Sequence, residues 1–436
     1  MRTLALLAAL TGAALLPDAP LGVNVPIVAA FVAATVASEA RRSLGIAVFG
    51  GLALVLACVP ALLDAGWIIA LDLTAAWLLA TIAVAGRRIL APLAPFRALR
   101  TVPALADDLP RGSLRALRAS ALGLLVSLPF AALFWTADAA FAEVGRSVPL
   151  PSTGTLPGRI LVFALVLLVA LGLALASRHA LPEGQARPNA RIGLLEWVVP
   201  LVLLDALFAI FVAVQAAVLF GGHDHVLRTS GLTYAEYARG GFWQLIAAST
   251  LTLVVVAIAL RFGDAQRPSQ ALLRKALLGV LCVLTIVTVV SAIHRLGAYE
   301  DAFGLTRLRL AAETFAWGLG AFFALLIAAG SVRPAARLLP EIAVAGAALG
   351  LLAFSLSNPD RRIAERNVDL WRETGKLDTA YLGGLSADAV PALVELPAEL
   401  RRVVLPAIER RLAEAEPWIS ANLARERARN LLASTP

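Results

Sequence analysis

A chain of 436 residues that is 59% hydrophobic and 16% charged lies outside the range of soluble domains, which sit near 45–50% apolar and about 25% charged. Its formal charge of +8 belongs to the first 357 residues, because the stretch from 358 onward carries 12 basic and 12 acidic side chains. That placement argues against nucleic-acid binding and for charges that set membrane topology.

The apolar residues come in blocks of about 17–28, the length that crosses a bilayer core at 1.5 Å per helical residue. In chain order the expected spans are 3–16, 22–38, 44–62, 66–85, 119–136, 160–177, 193–220, 242–260, 276–293, 308–330 and 338–356. The fold class is therefore all-α: a polytopic transmembrane helical bundle of about 11 spans over 1–357, with a small C-terminal helical extramembrane domain over 358–436. The first span is short. Arg2 in front of it and Pro17 and Pro20 behind it resemble a signal peptide, but no small-x-small cleavage site follows. Cys58 and Cys282 lie inside apolar runs without metal or redox spacing, so both read as small buried residues.

Basic residues counted over alternate loops number about 19 on one side, among them Arg41, Arg42, Arg87, Arg88, Arg274 and Lys275. The other side has only Arg146, Arg159, Arg228, Arg239, Arg295 and Arg307. The richer side is cytoplasmic by the positive-inside rule. The N-terminus is then inside and the C-terminal domain outside. Tyr234, Tyr237, Tyr299 and Tyr381 all fall on the outer side, with His223, His225 and His294. Trp67, Trp135 and Trp243 mark outer span ends as an aromatic belt would. The inner loop 86–118 is rich in arginine and proline, suited to anionic lipid headgroups.

The connection 221–241 stands between two long apolar runs. Thr233 and Glu236 have capping-box spacing, and Leu232 and Tyr237 stand where a hydrophobic staple closes. A short helix should begin there and feed into the next span. His223, Asp224 and His225 are weak metal candidates, since a catalytic zinc site wants three protein ligands and an open position; no metal or other cofactor is expected. Tyr234, Glu236, Tyr237 and Arg239 are binding candidates. The second outer connection, 294–309, adds His294, Arg295, Tyr299, Glu300, Asp301, Arg307 and Arg309, a mixture suited to an anionic or sugar-like group or to packing against the C-terminal domain. Arg309 and Glu313 are four apart on one helical face and read as an ion pair.

Asp205 is an intramembrane acid near the middle of the seventh span. At that depth an ionisable group faces a bundle interior or a cavity. It is either a proton or cation relay or an acid satisfied by a neighbouring hydroxyl or backbone group. Asp72 lies about one turn inside its span.

Past residue 358, Ile363, Leu370 and Trp371 mark one helix. Ser386 caps a second with Val390, Leu393 and Val394 inward. Leu400, Val404, Ile408 and Leu412 repeat every four residues around Pro406, and a last helix covers Trp418 to Leu432.

Three stretches carry a resemblance: Tyr234-Ala-Glu-Tyr-Ala-Arg-Gly-Gly-Phe242; Tyr299-Glu-Asp-Ala-Phe-Gly-Leu-Thr-Arg-Leu-Arg309; and Asn358-Pro-Asp with Asn367-Val-Asp-Leu and Gly375-Lys-Leu-Asp-Thr-Ala-Tyr381-Leu-Gly-Gly-Leu-Ser-Ala-Asp-Ala-Val-Pro-Ala-Leu393. Over roughly 200–396 the chain resembles a bacterial family of polytopic membrane proteins catalogued as a domain of unknown function. The resemblance implies a bacterial inner-membrane protein and supplies no catalytic residues.

No phosphate loop, dinucleotide fingerprint, nucleophile elbow or zinc-protease motif is present. The sequence therefore favours a non-enzymatic, periplasm-facing sensor or scaffold for an envelope component. Its partners would be the lipid bilayer and an envelope protein or small periplasmic ligand, and not nucleic acid. Two other readings stand beside it: an ion- or proton-coupled transporter using Asp205, and an enzyme acting on a lipid-linked substrate at the outer interface.

Overall fold

The computed structural model describes residues 2–17, 19–38, 44–85, parts of 159–170, 194–220, 234–262, 267–331, 335–414 and 416–434. Among them are fifteen α-helices and no strand. The long ones are α1 (Arg2–Leu15), α2 (Asn24–Ala37), α3 (Leu44–Ala57), α4 (Gly66–Ala85), α5 (Leu194–Phe220), α6 (Tyr234–Phe262), α7 (Pro268–Phe303), α8 (Arg307–Ser331) and α9 (Ala335–Leu356). The short ones follow: α10 (Pro359–Thr374), α11 (Thr379–Gly383), α12 (Val390–Leu393), α13 (Ala398–Val404), α14 (Pro406–Leu412) and α15 (Leu423–Ser434). Five stretches in the described residues are long and apolar enough to cross a membrane: Leu44–Ala61, Gly66–Val84, Pro268–Phe303, Arg307–Gly330 and Leu338–Leu356. Shorter apolar helices cover Thr3–Leu15, Asn24–Ala37, Leu204–Ala213 and Leu245–Ala257. The expected span 119–136 and most of 160–177 lie outside the described residues. The molecule is a helical membrane protein.

Its chain contacts divide it into two compact units. In the first, residues 1–61, 73–182 and 416–421, α1 packs on α2 and α2 on α3. Small residues let α1 pack closely: Ala5 and Ala8 are fully buried beside Phe31 and Val32 of α2, in one cluster with Ala170, Val166 and Leu167. Small side chains let helix backbones approach closely, where lipid offers no hydrophobic drive to associate. Between α1 and α2 the turn is knotted by Asn24, whose Oδ1 accepts from Gly22 N–H at 2.8 Å and whose Nδ2 donates to the carbonyls of Leu15 and Pro20. Val23 N–H donates to Ala421 O at 3.1 Å. A Cβ at Gly22 would come within 2.4 Å of Ser420 O, so only glycine permits that approach.

The second unit comprises 62–72, 183–415 and 422–436. Its apolar core joins α5, α6, α7 and α8 through Trp197, Leu201, Phe208, Phe242, Leu281, Val289, Ala316 and Phe323. α7 starts at Pro268, whose missing N–H costs nothing in a first turn, and Gln270 Oε1 accepts the Arg267 N–H at 3.2 Å. It runs for 36 residues, a rise of about 54 Å that outruns a hydrocarbon core of about 30 Å.

Several sequence readings are corrected. Residues 294–303 are not a loop but the last turns of α7, which ends only at Gly304 (φ +73°). Nothing between His294 and Phe303 breaks a helix strongly enough to stop it. The last helix starts at Leu423, with Trp418–Ser420 a separate 3₁₀ turn, because Asn422 Oδ1 caps it by accepting Arg425 N–H at 3.0 Å. Cys58 is exposed, whereas Cys282 is buried; a bundle's outer face is as apolar as its interior, so an apolar run does not imply burial. The helix expected to begin at Thr233 is α6 itself, unbroken from Tyr234 to Phe262.

Candidate functional site

The polar groups of the second unit gather where α4, α8 and α9 meet the short helices. Locally the sequence dictates the corner. Asn358 adopts a left-handed backbone (φ 54°), a conformation asparagine tolerates better than most residues. Its Oδ1 caps α10 by accepting Arg361 N–H at 3.3 Å, and Pro359 fits the first helical position. Asp360 then falls in the first turn, where the helix dipole favours an anion.

Asp360 is fully buried, and protein donors occupy both its oxygens. Oδ1 accepts from Trp67 Nε1 and from Arg307 Nε, each at 2.9 Å. Oδ2 accepts from Arg307 Nη2 and from Ser386 N–H at 2.9 Å. The fork from one arginine to one carboxylate is the strongest geometry available to such a pair. Arg307 is held from its other side, since its backbone N–H donates to Tyr381 Oη at 2.7 Å. Trp67 also meets Phe354 edge-to-face at 5.9 Å.

A second knot adjoins it. Asp388 Oδ2 accepts from Asp64 N–H at 2.8 Å and from Ser386 Oγ at 2.9 Å, and its Oδ1 accepts from Asn358 Nδ2 at 3.1 Å. Asp64 Oδ2 accepts from Ala387 N–H at 3.1 Å, and its Oδ1 pairs with Arg425 Nη1 at 2.8 Å. Asn422 Nδ2 donates to Leu63 O at 2.7 Å. The turn between α3 and α4 is thus tied to α15 and to the 3₁₀ turn Ala387–Ala389.

Burial and partners pull these carboxyls opposite ways. Burial pushes Asp360 up, but the Arg307 fork, the Ser386 N–H and the Trp67 N–H outweigh it, so its pKa lies below the ordinary value. Asp388 is pushed up to about 6 by burial, with the nearby charges of Asp64 and Asp360 adding to the effect and its N–H and O–H donors opposing it. Burial likewise raises Tyr381.

At the α7–α8 corner several expected binding residues converge. Arg309 lies over the Tyr299 ring at 4.3 Å, and Tyr299 meets Phe303 at 4.8 Å. The same guanidinium donates to the carbonyls of Phe303 and Gly304, capping the last turn of α7. Asp301 pairs with Arg366 of α10. Glu313 accepts a long hydrogen bond from Trp317 at 3.4 Å, and the expected Arg309–Glu313 ion pair does not form because Arg309 turns back onto α7. Glu300 sits among Glu313, Arg309, Asp301 and Arg366, and its Oε1 is buried without a hydrogen-bond partner. His294 is exposed and Arg295 half-buried on α7. The corner itself demands Gly304: a Cβ there would lie 2.2 Å from Asn367 Oδ1, and Asn367 is fixed by donating to Leu305 O at 2.8 Å and Ile363 O at 2.7 Å.

Most of the other expected residues lie outside what the structure describes. Tyr234, Glu236, Tyr237 and Arg239 lie on the first turns of α6, their side chains outside the described residues, as are His223, Asp224 and His225 altogether. Among the described residues no group of three or more His, Cys, Asp or Glu side chains is arranged to hold a metal. Asp205 is 8% exposed, and neither of its oxygens has a hydrogen-bond partner. Asp72 is fully buried. Its Oδ1 lies 2.9 Å from Ser355 Oγ, which is also 3.0 Å from Leu351 O, so one hydroxyl proton is shared between two acceptors.

Sequence reasoning picked out Arg307 but missed Asp64, Trp67, Asp360, Ser386, Asp388 and Arg425 as a cluster. The signal was the Asn358-Pro-Asp motif, in which a capping asparagine and proline present an acid at a helix start.

The family described as domain of unknown function (DUF4153) matches residues 50–396, a span that includes Asp64, Trp67, Arg307, Asp360 and Asp388 and stops short of Arg425. No curated protein and no solved structure matches the chain. With the family match covering well over half of its length, the chain belongs to the DUF4153 family.

Proposed function

We propose that this integral membrane protein is a scaffold or sensor of the bacterial inner membrane, holding its C-terminal helices out on the periplasmic side for contact with an envelope component. The observation that carries the reading is the Asp360 knot. A buried carboxylate whose oxygens are all filled by an arginine fork, an indole N–H and a backbone N–H is a fastener, with no lone pair directed at a substrate. It ties the helix ends of α4 and α8 to α10 and to Ser386, so the short helices form one body with the membrane helices of their unit. The basic-residue asymmetry supports a cytoplasmic N-terminus and a periplasmic C-terminus. The even charge of 358–436 suits protein contact.

The test uses a chain with Cys58 and Cys282 replaced and one cysteine placed at exposed Glu414. An impermeant maleimide added to intact cells should label it, and a photo-crosslinker at the same site should trap one discrete envelope component. Crosslinking should fall when Asp360→Ala releases the helices. Labelling only after lysis, or crosslinking indifferent to Asp360, would refute the reading.

A further inference from the structure

On α5 the buried residues Trp197, Leu201, Asp205 and Phe208 fall at i, i+4, i+8 and i+11, a single helical stripe. Asp205 therefore points the same way as the apolar residues that pack α5 against α7. The oxygens of Asp205 find no donor there, although hydroxyls are present in the core. Ser249, Thr252, Thr285 and Thr288 are all buried, and each donates its proton to a carbonyl four residues back on its own helix: Leu245, Ala248, Leu281 and Leu284. Among the described residues no arginine or lysine pairs with Asp205 either, and Cys282 on α7 is near enough to feel its charge. Thr285 follows one turn along the same face of α7, its hydroxyl lone pairs still able to serve as acceptors.

A bare carboxylate in an apolar core costs several kcal/mol unless something positive accompanies it. Among the described residues no side chain supplies Asp205 with a cation or a hydrogen-bond donor, and a small ion that the bundle admits would compensate its charge. We propose that Asp205 is the site at which the bundle binds a monovalent cation, a proton or a sodium ion. The two ions share one chemistry at this position. Either neutralises the carboxylate, and either gives the bundle two states that differ by a unit charge on α5. This function is separate from the fastening of the C-terminal helices, and its failure would leave that reading untouched.

The full-length protein in nanodiscs provides the test. Infrared difference spectra of the native chain against Asp205→Asn isolate the absorption of this one carboxyl at neutral pH, in sodium chloride and in choline chloride. A neutral-carboxyl C=O band in both salts identifies a proton. A carboxylate signature that shifts when sodium replaces choline identifies sodium. A carboxylate signature indifferent to the salt and unchanged on acidification overturns the proposal. Asp205→Leu gives a second reading: it should fold, and the thermal midpoint should lose a dependence on sodium or pH worth about 3 °C in the native chain, as for stabilisation by one bound ion, beyond the pH dependence that Asp388 supplies in both chains. Retention of that dependence in Asp205→Leu would place the ion elsewhere and likewise overturn the assignment.

Discussion

Asp360 and Asp205 are both acids buried within one unit, yet their surroundings are opposite. Asp360 has an arginine fork, an indole and a backbone amide on its oxygens, whereas Asp205 has nothing on either. The first is a closed network, in which taking away any one partner exposes the cost of burying the rest. The second is an open valence in a membrane core. The contrast separates structural acids from candidates for ion handling better than burial does, since both are more than nine-tenths buried.

The largest effect should come from breaking the closed network. Asp360→Ala leaves Trp67 Nε1, Ser386 N–H and the inner donors of Arg307 without acceptors, and should cost the C-terminal helices about 3–5 kcal/mol. Arg307→Ala should cost less, about 2–3 kcal/mol, because the Arg307 side chain is 35% exposed and Asp360 keeps two donors. Proteolytic nicking in α10–α15, followed against denaturant, ranks the two. Equal tolerance of both would erase the contrast with Asp205, for which replacement by leucine should leave stability unchanged or improved when ion is withheld.

Next in size is Gly304→Ala. The substitution combines a positive φ with a Cβ placed on Asn367 Oδ1, and about 2–3 kcal/mol should be lost. A drop in thermal midpoint checks it. Asn367→Ala should relieve part of the loss in the double variant, which distinguishes the collision from the backbone strain.

The pH dependence follows from opposite shifts in neighbouring acids. Asp388, raised to about 6, binds its proton more tightly folded than unfolded. Its stabilising contribution is therefore full below about pH 4 and is lost as pH rises through 6. Asp360, lowered, contributes above the ordinary carboxylate range and loses that contribution as pH falls below it. The C-terminal helices should be most stable in mild acid, near pH 4–5, and weaken toward neutrality by an amount on the order of 2 kcal/mol. Asp388→Asn should flatten the neutral limb of this profile and leave the acid limb in place. Denaturant titrations across pH 3–8 read both limbs.

The smallest effect belongs to the α7–α8 corner. Arg309→Ala removes a cation–π contact and the capping of two carbonyls on a partly exposed side chain, worth about 1 kcal/mol together. Arg309→Lys should recover little, because an ammonium lacks the planar fork.

Much of the bundle was legible because its signals are local: apolar blocks of membrane length and an acid alone in an apolar run. Asp205 stood out for that reason. The knot was not legible because its members are far apart in the chain. Trp67 and Asp360 are separated by 293 residues, Asp64 and Arg425 by 361, and no periodicity relates them. Arg307 was found as a charged residue near an outer boundary, without its partner. The polar run 294–303 misled in the other direction, because charge and aromaticity mark exposure and say nothing about where a helix stops. Only Gly304, with its backbone outside the range of other residues, carries that information.

The central claim is that the Arg307–Asp360 fork fastens the C-terminal helices to the membrane helices of their unit. Hydrogen–deuterium exchange of the native chain and Asp360→Ala in nanodiscs tests it most directly. Amides of α10, α12 and α15 should exchange faster in the variant, by about two orders of magnitude for a loss near 3 kcal/mol, while those of α7 and α8 away from the corner stay protected. Unchanged exchange across 359–434 in Asp360→Ala would contradict the account.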